Sequence, residues 1–308
     1  MLSTISAAAG SPPPELHTVR DYVRWGASAF ARAGLVYGHG TDNALDEAFH
    51  LVLWALKLPA DLPTVYLEAA LTAEEKSRVY ALLRERIDSR RPAAYLIGEI
   101  QFCGLPFTVD ERVLIPRSPI GEMIGQGFQP WLTVEPQRIL DLCAGSGCIG
   151  IACAQAFPEA EVDLGELSEG ALEVCEINIL RHHCGGQVRA IKSDLFAAFK
   201  GRRYELIVSN PPYVPEIEVD NLGPEFQHEP RMALAAGIDG MDIVERILNE
   251  AAEHLSEGGL LVCEIGGSQE EFNARFPDIP VAWPEFERGG DGVFVIGKAD
   301  LEDWLQGN

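Results

Sequence analysis

Apolar residues in the first third of the chain recur at helical spacing. Residues 46–58 carry the strongest pattern, Thr18 with Asp21 resembles a helix start, and Thr72 with Glu75 forms a capping box. We therefore predict a small helical domain over residues 15–98, after a loose N-terminal tail at residues 1–14.

The pattern changes to that of strands beyond this bundle. Residues 99–117 are typical of a β-hairpin linker with its turn at Gly104, Leu105 and Pro106. In the remaining segment, 118–308, strand-like runs alternate with helical ones. The strand-like runs are 160–164, 188–193, 206–209 and 260–265, and the helical ones are 168–179 and 241–255. This alternation predicts an α/β fold, in which helices cover both faces of a parallel sheet.

The end of the chain departs from this alternation. Residues 285–288 and 293–296 are strand-like and flank a turn rich in glycine at 289–292. Two strands joined by so short a turn pair antiparallel. The sequence therefore predicts a C-terminal antiparallel hairpin that closes the sheet.

Residues 138–152 combine an apolar strand, a tight glycine turn and the start of an apolar helix. Gly145 and Gly147 lack a Cβ atom, so the backbone turns sharply and a ligand approaches it closely. The turn lacks the third glycine of a dinucleotide fingerprint and the lysine of a phosphate-binding loop. A nucleoside without a pyrophosphate is therefore the favoured ligand.

Three acidic residues accompany successive strands. Glu166 lies nineteen residues past Gly147, at the position of a ribose acceptor, and Asp194 ends a strand-like run where it can accept from an adenine amino group. Asp141 would repel phosphate but suits the cationic amino group or sulfonium of S-adenosylmethionine. Alternatively, Asp141 braces the turn by accepting backbone N–H groups.

Asn210, Pro211, Pro212 and Tyr213 close an apolar run that predicts a buried strand. Asn210 then stands at the carboxyl end of a strand, which in open α/β sheets faces the ligand crevice. Its side-chain oxygen and the proline carbonyls offer rigid acceptors to one planar NH₂ group. The alternative is a stiff turn between strand and loop.

These motifs resemble those of the glutamine-amide methyltransferases that modify proteins of the translation apparatus. The resemblance extends over most of the chain past residue 40, including residues 91–96, 102–104, 109–120, 228–230 and 289–294. It implies a Rossmann-like class I methyltransferase sheet, preceded by a small helical domain that helps hold the protein substrate. It also implies S-adenosylmethionine as the cofactor.

The resemblance assigns roles to individual residues. Asn210, Pro211 and Tyr213 are expected to be catalytic, and Pro212 joins them in binding the substrate glutamine. The cofactor is expected to contact Asn210 and the residues of the three strand ends, Asp141, Cys143, Ala144, Gly145, Ser146, Gly147, Glu166, Asp194 and Leu195. Two interpretations of Arg117 stay open. It either positions the cofactor or the substrate, or it makes a structural bond to backbone carbonyls.

Three departures from the family pattern occur within this set. Cys143 replaces the first of three alternating glycines, Glu166 replaces a commoner aspartate, and Leu195 stands where some relatives place an aromatic residue against adenine. Glu166 must therefore find room for one extra methylene. Leu195 is expected to contribute apolar packing only.

Two branches of the family differ in their substrate. The segment at 116–120 departs from the pattern usual in the branch that methylates peptide-chain release factors. It is similar to the branch that methylates the third protein of the large ribosomal subunit, which is the expected partner as a free or nascent chain. Release factors remain the first alternative, followed by methylation of a nucleic-acid amine and by a non-catalytic role in ribosome assembly.

Composition narrows the partners further. A formal net charge of −23 disfavours binding to DNA, itself a polyanion, and would attract a basic ribosomal protein, although acidity also serves solubility alone. Seven cysteines without a C-x-x-C pair indicate reduced thiols in a cytoplasmic protein and no structural zinc site. The apolar runs are shorter than the ~20 residues of a membrane span, and the start lacks the pattern of a signal peptide.

Overall fold

The computed structural model describes residues 10–287 and 289–307. Most of the expected N-terminal tail, residues 1–9, lies outside these residues, and so does Arg288. The chain divides into two compact units, the first comprising residues 1–99 and 223–228 and the second residues 100–222 and 229–308. A short segment from the second half of the sequence thus belongs to the first unit.

The first unit is helical; the predicted capping box at Thr72 is present, and the predicted helix start at Thr18 has a capping box as well. Thr18 Oγ1 accepts from the backbone N–H of Asp21, and the Asp21 side chain accepts from the backbone N–H of Thr18. Thr72 and Glu75 form the same two bonds at the start of the third helix. Each box satisfies two N–H groups that a helix start leaves without partners. The helices are α1 Val19–Ala33, α2 Ala44–Leu56, α3 Ala73–Ser89 and α4 Ala93–Ile97.

Segment 223–228 is held in the first unit by buried charges. Glu225 is completely buried and accepts from Arg90 at 2.9 Å, while its longer contact with Arg86 is 3.5 Å. Arg86, also fully buried, donates to Glu47 at 2.8 Å. Because an unpaired buried charge is very costly, these ions have to stay together.

The predicted hairpin is present with a slightly different turn. Its strands are β1 Glu99–Phe102 and β2 Leu105–Thr108. The turn is made by Cys103 and Gly104, both with positive φ, so that Leu105 already belongs to the second strand. Two successive residues with positive φ match the tight turn that joins twisted antiparallel strands.

The second unit is built on a six-stranded sheet in the described residues, with strand order β5-β4-β3-β6-β7-β8. Every neighbouring pair is parallel except β7 and β8. The strands are β3 Arg138–Leu142, β4 Glu161–Glu166, β5 Val188–Lys192, β6 Tyr204–Ser209, β7 Leu255–Glu264 and β8 Val293–Gly297.

Helices cover both faces of this sheet, as predicted. They are α5 Ile120–Gly125, α6 Cys148–Ala156, α7 Glu169–Arg181, α8 Glu216–Val219, α9 Asp242–His254, α10 Gln269–Arg275 and α11 Lys298–Gly307. Ile139 packs with residues of α5, α6 and α7, whereas the next residue, Leu140, packs with residues of α9, α10 and α11. Alternate side chains of one strand thus serve two apolar layers.

The antiparallel pairing at the C-terminus is confirmed, but the first arm is displaced. β8 pairs antiparallel with β7, and Ala282 forms an antiparallel bridge with Val295. Residues 285–287, where the first arm was expected, are not in a strand. Because the bridge is formed by Ala282, the loop between it and β8 is longer than the glycine-rich turn that the sequence predicts.

Helix α6 lies very close to the sheet at Gly150. A Cβ atom there would be 2.2 Å from Leu164 Cδ2 and 3.1 Å from Asp141 Cβ. Leu164 is fully buried, so it has no free space into which to move. Glycine at this position therefore allows the helix and the strands beneath it to pack together.

We expect Gly150→Ala to destabilise the protein. Overpacking costs about 1–3 kcal/mol, and a contact as short as 2.2 Å places this site at the upper end, above the gain of about 1 kcal/mol from the better helix propensity of alanine. The free energy of unfolding, measured in urea, should fall by about 1 kcal/mol or more. Gly125→Ala is the matched control, because a Cβ atom there meets nothing within 4 Å. Equal stability of the two variants would contradict the close approach.

Candidate active site

The parallel register brings the carboxyl ends of the strands to one edge of the sheet. Leu142 of β3 is paired with Gly165 of β4 and with Ser209 of β6. Glu166 and Asn210 follow directly in their own segments, so they emerge beside the glycine turn. Three of the predicted strand ends therefore meet as the sequence required.

A cavity opens at this edge and contains about 1120 Å³ of atom-free space, including its mouth. Most predicted site residues line it, namely Cys143, Ala144, Gly145, Ser146, Glu166, Asp194, Leu195, Asn210 and Pro212. Four others do not, namely Asp141, Gly147, Pro211 and Tyr213.

The glycine turn is folded through left-handed backbone conformations. Gly145 has φ 55° and Gly147 has φ 79°, as glycines readily adopt. Cys143, with φ 57°, adopts a conformation that strains a residue with a Cβ atom. Glycine would adopt this conformation without strain, so Cys143 depends on support from the surrounding fold.

Helix α7 holds this strained turn, a contribution that the sequence analysis missed. Cys175 Sγ donates to Gly145 O at 3.1 Å, and Asn178 Nδ2 donates to Ser146 O at 2.9 Å. Asn178 is completely buried. A polar residue in the middle of an apolar helix face was the signal available for it.

Glu166 ends β4 and joins the turn to the next helix. Its Oε2 accepts from Gly145 N at 2.9 Å, and its Oε1 accepts from Ser168 N at 2.8 Å. The extra methylene relative to aspartate is thus accommodated in a bridge between two backbone segments. A carboxylate has about four acceptor positions, so others remain for ribose hydroxyls.

Asp141 lies beneath the turn and has two different oxygens. Oδ2 accepts from Gly150 N at 2.8 Å, while Oδ1 is buried and has no hydrogen-bond partner among the described residues. Burial raises the pKa of Asp141 to about 7, although the bond from Gly150 opposes the increase. The bracing interpretation therefore accounts for one oxygen, and the other can still attract a cation.

Asp194, the predicted acceptor for the adenine amino group, forms an ion pair with Arg246. Arg246 Nη2 donates to Asp194 Oδ1 at 2.8 Å, and both residues line the cavity. Leu195 beside them is buried and has φ 46°. Arg246, on α9, was not identified from sequence, because nothing near it in the chain marks it.

Asn210 is the predicted residue whose environment is most informative. Its Oδ1 is buried and has no hydrogen-bond partner in the described part of the chain. A buried amide oxygen without a partner is costly, so it is an acceptor available to a ligand. Asn210 also lines the cavity, which places this acceptor where the ligand would bind.

Tyr213 takes a different position from that expected of a cavity wall. Its hydroxyl faces Glu264 Oε1 at 3.4 Å, and its ring lies so close to Gly266 that a Cβ atom there would be 2.7 Å away. Burial raises the pKa of Tyr213, and the nearby Glu264 carboxylate raises it further. Tyr213 therefore supports the Asn210 segment from outside the cavity.

Arg117 makes a structural connection within this unit. It donates to Ile115 O at 3.1 Å, as the structural interpretation expected, and to both carboxylate oxygens of Glu229 at 2.6 and 2.9 Å. Glu229 is buried and also accepts from Ile115 N. Arg117 lines the cavity as well, so a direct contact with a ligand stays a prediction.

Comparison with known proteins gives two relatives that match this chain over nearly its whole length. The ribosomal protein uL3 glutamine methyltransferase of Xanthomonas campestris pv. campestris is 50% identical over 288 residues, covering 93% of each chain. That of Xylella fastidiosa is 49% identical over 291 residues, covering 93% of this chain and 92% of its own. The chain belongs to the family of ribosomal protein uL3 glutamine methyltransferases.

Two further comparisons agree with membership of this family. The family described as "Methyltransferase small domain" matches residues 128–237. The crystal structure of the hMettl16 catalytic domain in complex with MAT2A 3′UTR hairpin 1 superposes with a TM-score of 0.50 at 14% identity, over 80% of this chain and 90% of that one. The second unit therefore has the class I methyltransferase fold.

The enzyme is a methyltransferase, and S-adenosylmethionine is its methyl donor. The residues at the cavity fit this cofactor. A nucleoside carrying a cationic amino acid requires hydroxyl acceptors and negative charge; Glu166 lines the cavity, whereas Asp141 lies beneath the turn outside the cavity lining, so its contact with the cofactor stays a prediction. The absence of a phosphate-binding loop agrees with the absence of phosphate in the cofactor.

Within residues 10–287 and 289–307, no group of three or more metal-ligating side chains is close enough to hold an ion. Likewise, no helix of the described chain is long and apolar enough to cross a membrane. The seven cysteines form no disulfide in the described structure.

We expect Glu166→Ala to weaken binding of S-adenosylmethionine by at least about tenfold. The variant removes an acceptor for ribose and leaves two backbone N–H groups without their carboxylate, and each charged hydrogen bond contributes about 1.5–3 kcal/mol. Isothermal titration calorimetry measures the change directly. Glu159→Ala, which removes an exposed glutamate before β4, is the matched control. Unchanged affinity of Glu166→Ala would exclude Glu166 from the cofactor site.

Proposed function

We propose that the enzyme methylates the side-chain amide nitrogen of a glutamine in ribosomal protein uL3. Two curated uL3 glutamine methyltransferases match it at 49–50% identity over 93% of the chain, which supports this substrate. The observation that carries the chemistry is the buried Oδ1 of Asn210, an acceptor without a protein partner among the described residues. An acceptor of this kind is suited to a substrate NH₂ group.

An amide nitrogen is a poor nucleophile because its lone pair is shared with the neighbouring carbonyl. No side chain in a protein is basic enough to deprotonate it beforehand, so positioning and electrostatics have to accelerate the reaction. We propose that Asn210 Oδ1 and the carbonyl of Pro211 accept the two amide protons. They would orient the nitrogen and stabilise the positive charge that develops on it.

The transfer balances without a further reactant. When bound, S-adenosylmethionine would supply a methyl group on a sulfonium, from which a neutral thioether departs as a good leaving group. The nitrogen lone pair forms the new N–C bond, and the electrons of the broken C–S bond stay on sulfur. One proton then leaves the nitrogen to solvent. Asn210 and Pro211 hold the amide in place throughout, and Pro212 and Tyr213 keep the segment rigid and limit access of water.

The charge of the enzyme supports a basic protein substrate. Its formal net charge is −23, and ribosomal proteins bind RNA through basic surfaces. Long-range attraction of opposite charges increases the rate of encounter. We further propose that the helical segment 15–98 and the linker 99–117 help hold the substrate protein, while residues 118–308 carry out the transfer. A free or nascent substrate in the cytoplasm fits this proposal.

Asn210→Ala is expected to lower kcat by about a hundredfold, the usual effect of removing one group that stabilises developing charge in a transition state. Binding of S-adenosylmethionine should remain within a few-fold of that of the unmodified enzyme, because the ribose and adenine contacts are retained. The assay is transfer of labelled methyl to purified uL3. Asn221→Ala, an exposed asparagine in the following segment, is the matched control and should retain full activity.

The same assay identifies the substrate. Purified uL3 and a release factor are offered in parallel, and the products are analysed by mass spectrometry. Addition of one methyl group, a net gain of one CH₂, to a glutamine of uL3 alone is the expected result. Labelling of the release factor alone would contradict the proposed substrate, and normal turnover by Asn210→Ala would contradict the role of Asn210.

A further inference from the structure

Glu264 lies beside Asn210 at the end of the neighbouring strand. Ser209 of β6 is paired with Cys263 of β7 in the parallel sheet. The residues that follow them, Asn210 and Glu264, therefore lie side by side. Glu264 is buried, with 5% of its surface exposed. A carboxylate in this position is costly unless hydrogen-bond donors surround it, so its neighbours determine what it does.

Three donors converge on this carboxylate. Ser118 Oγ donates to Oε2 at 2.5 Å, and the Tyr213 hydroxyl lies 3.4 Å from Oε1. Asn210, which the strand register sets beside Glu264, also favours the charged form, because its side-chain amide lowers the pKa of Glu264. Only the Nδ2 of Asn210 can donate to a carboxylate, so Nδ2 is the atom that faces Glu264.

This contact determines which way the Asn210 amide points. With Nδ2 turned to an ionised carboxylate, Oδ1 is left on the opposite side of the amide, without a partner among the described residues. A rotation by half a turn would bring Oδ1 against the negative oxygens of Glu264. That orientation is disfavoured because two acceptors would then face each other.

We infer that Glu264 is a positioning residue, which holds Asn210 with its Oδ1 towards the substrate amide, and that Ser118 and Tyr213 fix Glu264 for this task. The inference rests on the proposed methylation of glutamine. It adds a requirement for a residue outside the segment Asn210 to Tyr213. The acceptor works only while the neighbouring carboxylate is ionised.

The charge environment of Glu264 makes this requirement measurable. Burial raises the pKa of Glu264 to about 7, while the bonds from Ser118, Tyr213 and Asn210 and the positive charge of Arg117 oppose the increase. Two further titratable groups adjoin Glu264, and burial keeps both protonated by raising their pKa: the Tyr213 hydroxyl and the Cys263 thiol on the same strand. Protonated Glu264 becomes a donor itself, and the Asn210 amide then loses its preferred orientation.

The test compares Glu264→Gln with the unmodified enzyme at saturating S-adenosylmethionine and saturating uL3. Glutamine keeps the size of the side chain but presents an NH₂ group as well as an oxygen, so Asn210 can bind it in either orientation. We expect kcat to fall about 10- to 100-fold, as for other misplaced catalytic groups. The affinity for S-adenosylmethionine and the melting temperature should change little.

The pH profile separates positioning from a structural role. In the unmodified enzyme, kcat should fall as pH decreases through the pKa of Glu264, because the carboxylate is lost there. Glu264→Gln should lack this decrease. Saturating cofactor keeps the titration of Asp141, which affects cofactor binding, out of the profile. Ser118→Ala removes one donor from the carboxylate and should move the midpoint to higher pH by about one unit.

Each result decides between the alternatives. Full activity of Glu264→Gln, or an acidic decrease that persists in it, would overturn the positioning role while leaving the proposed function intact. If Glu264→Gln does not fold, an unchanged midpoint in Ser118→Ala overturns the inference instead. No methyl transfer by the unmodified enzyme to uL3 would overturn the proposed function, and the inference with it.

Discussion

The in-register parallel pairing of β3, β4, β6 and β7 is the constraint on which the site depends. Side chains alternate between the faces of a sheet, so a slip of one residue would exchange every inward and outward position. The pair Ser209 and Cys263 sets Asn210 beside Glu264, and the pair Leu142 and Gly165 sets the glycine turn beside Glu166. The close approach at Gly150 packs α6 directly against Leu164 of β4 and Asp141 of β3.

Two buried carboxylates in the same unit face the same physical problem. Asp141 and Glu264 both have a pKa raised to about 7 by burial, which shows how costly their charge is. Each is stabilised by donors fixed in the fold, Gly150 for the former and Ser118 for the latter. Such donors are in place before a ligand binds, so no reorganisation is required during the reaction. Burying such carboxylates therefore costs stability, which the fixed donors partly offset.

The departures from the family pattern are understandable in the same terms. Cys143 has a backbone conformation that favours glycine, and the hydrogen bonds from α7 to the turn help to hold it there. Glu166 uses its extra length to bond both Gly145 and Ser168. The surrounding fold therefore determines whether a substituted residue can occupy the site, since strained conformations persist only where several contacts enforce them.

The sequence by itself determined the order of elements and most of the candidate site. Capping boxes, apolar runs and glycine turns act over a few residues, so the α/β alternation, the parallel sheet and the cluster around Asn210 could be predicted from them. The hairpin turn at Cys103 and the displaced bridge at Ala282 differ from prediction, because turn position and strand pairing depend on distant partners. Only the tertiary structure placed Arg246, Asn178 and Glu264 at the site, and only it selected the orientation of the Asn210 amide. Those contacts join residues far apart in the chain, and no local pattern encodes which of them meet.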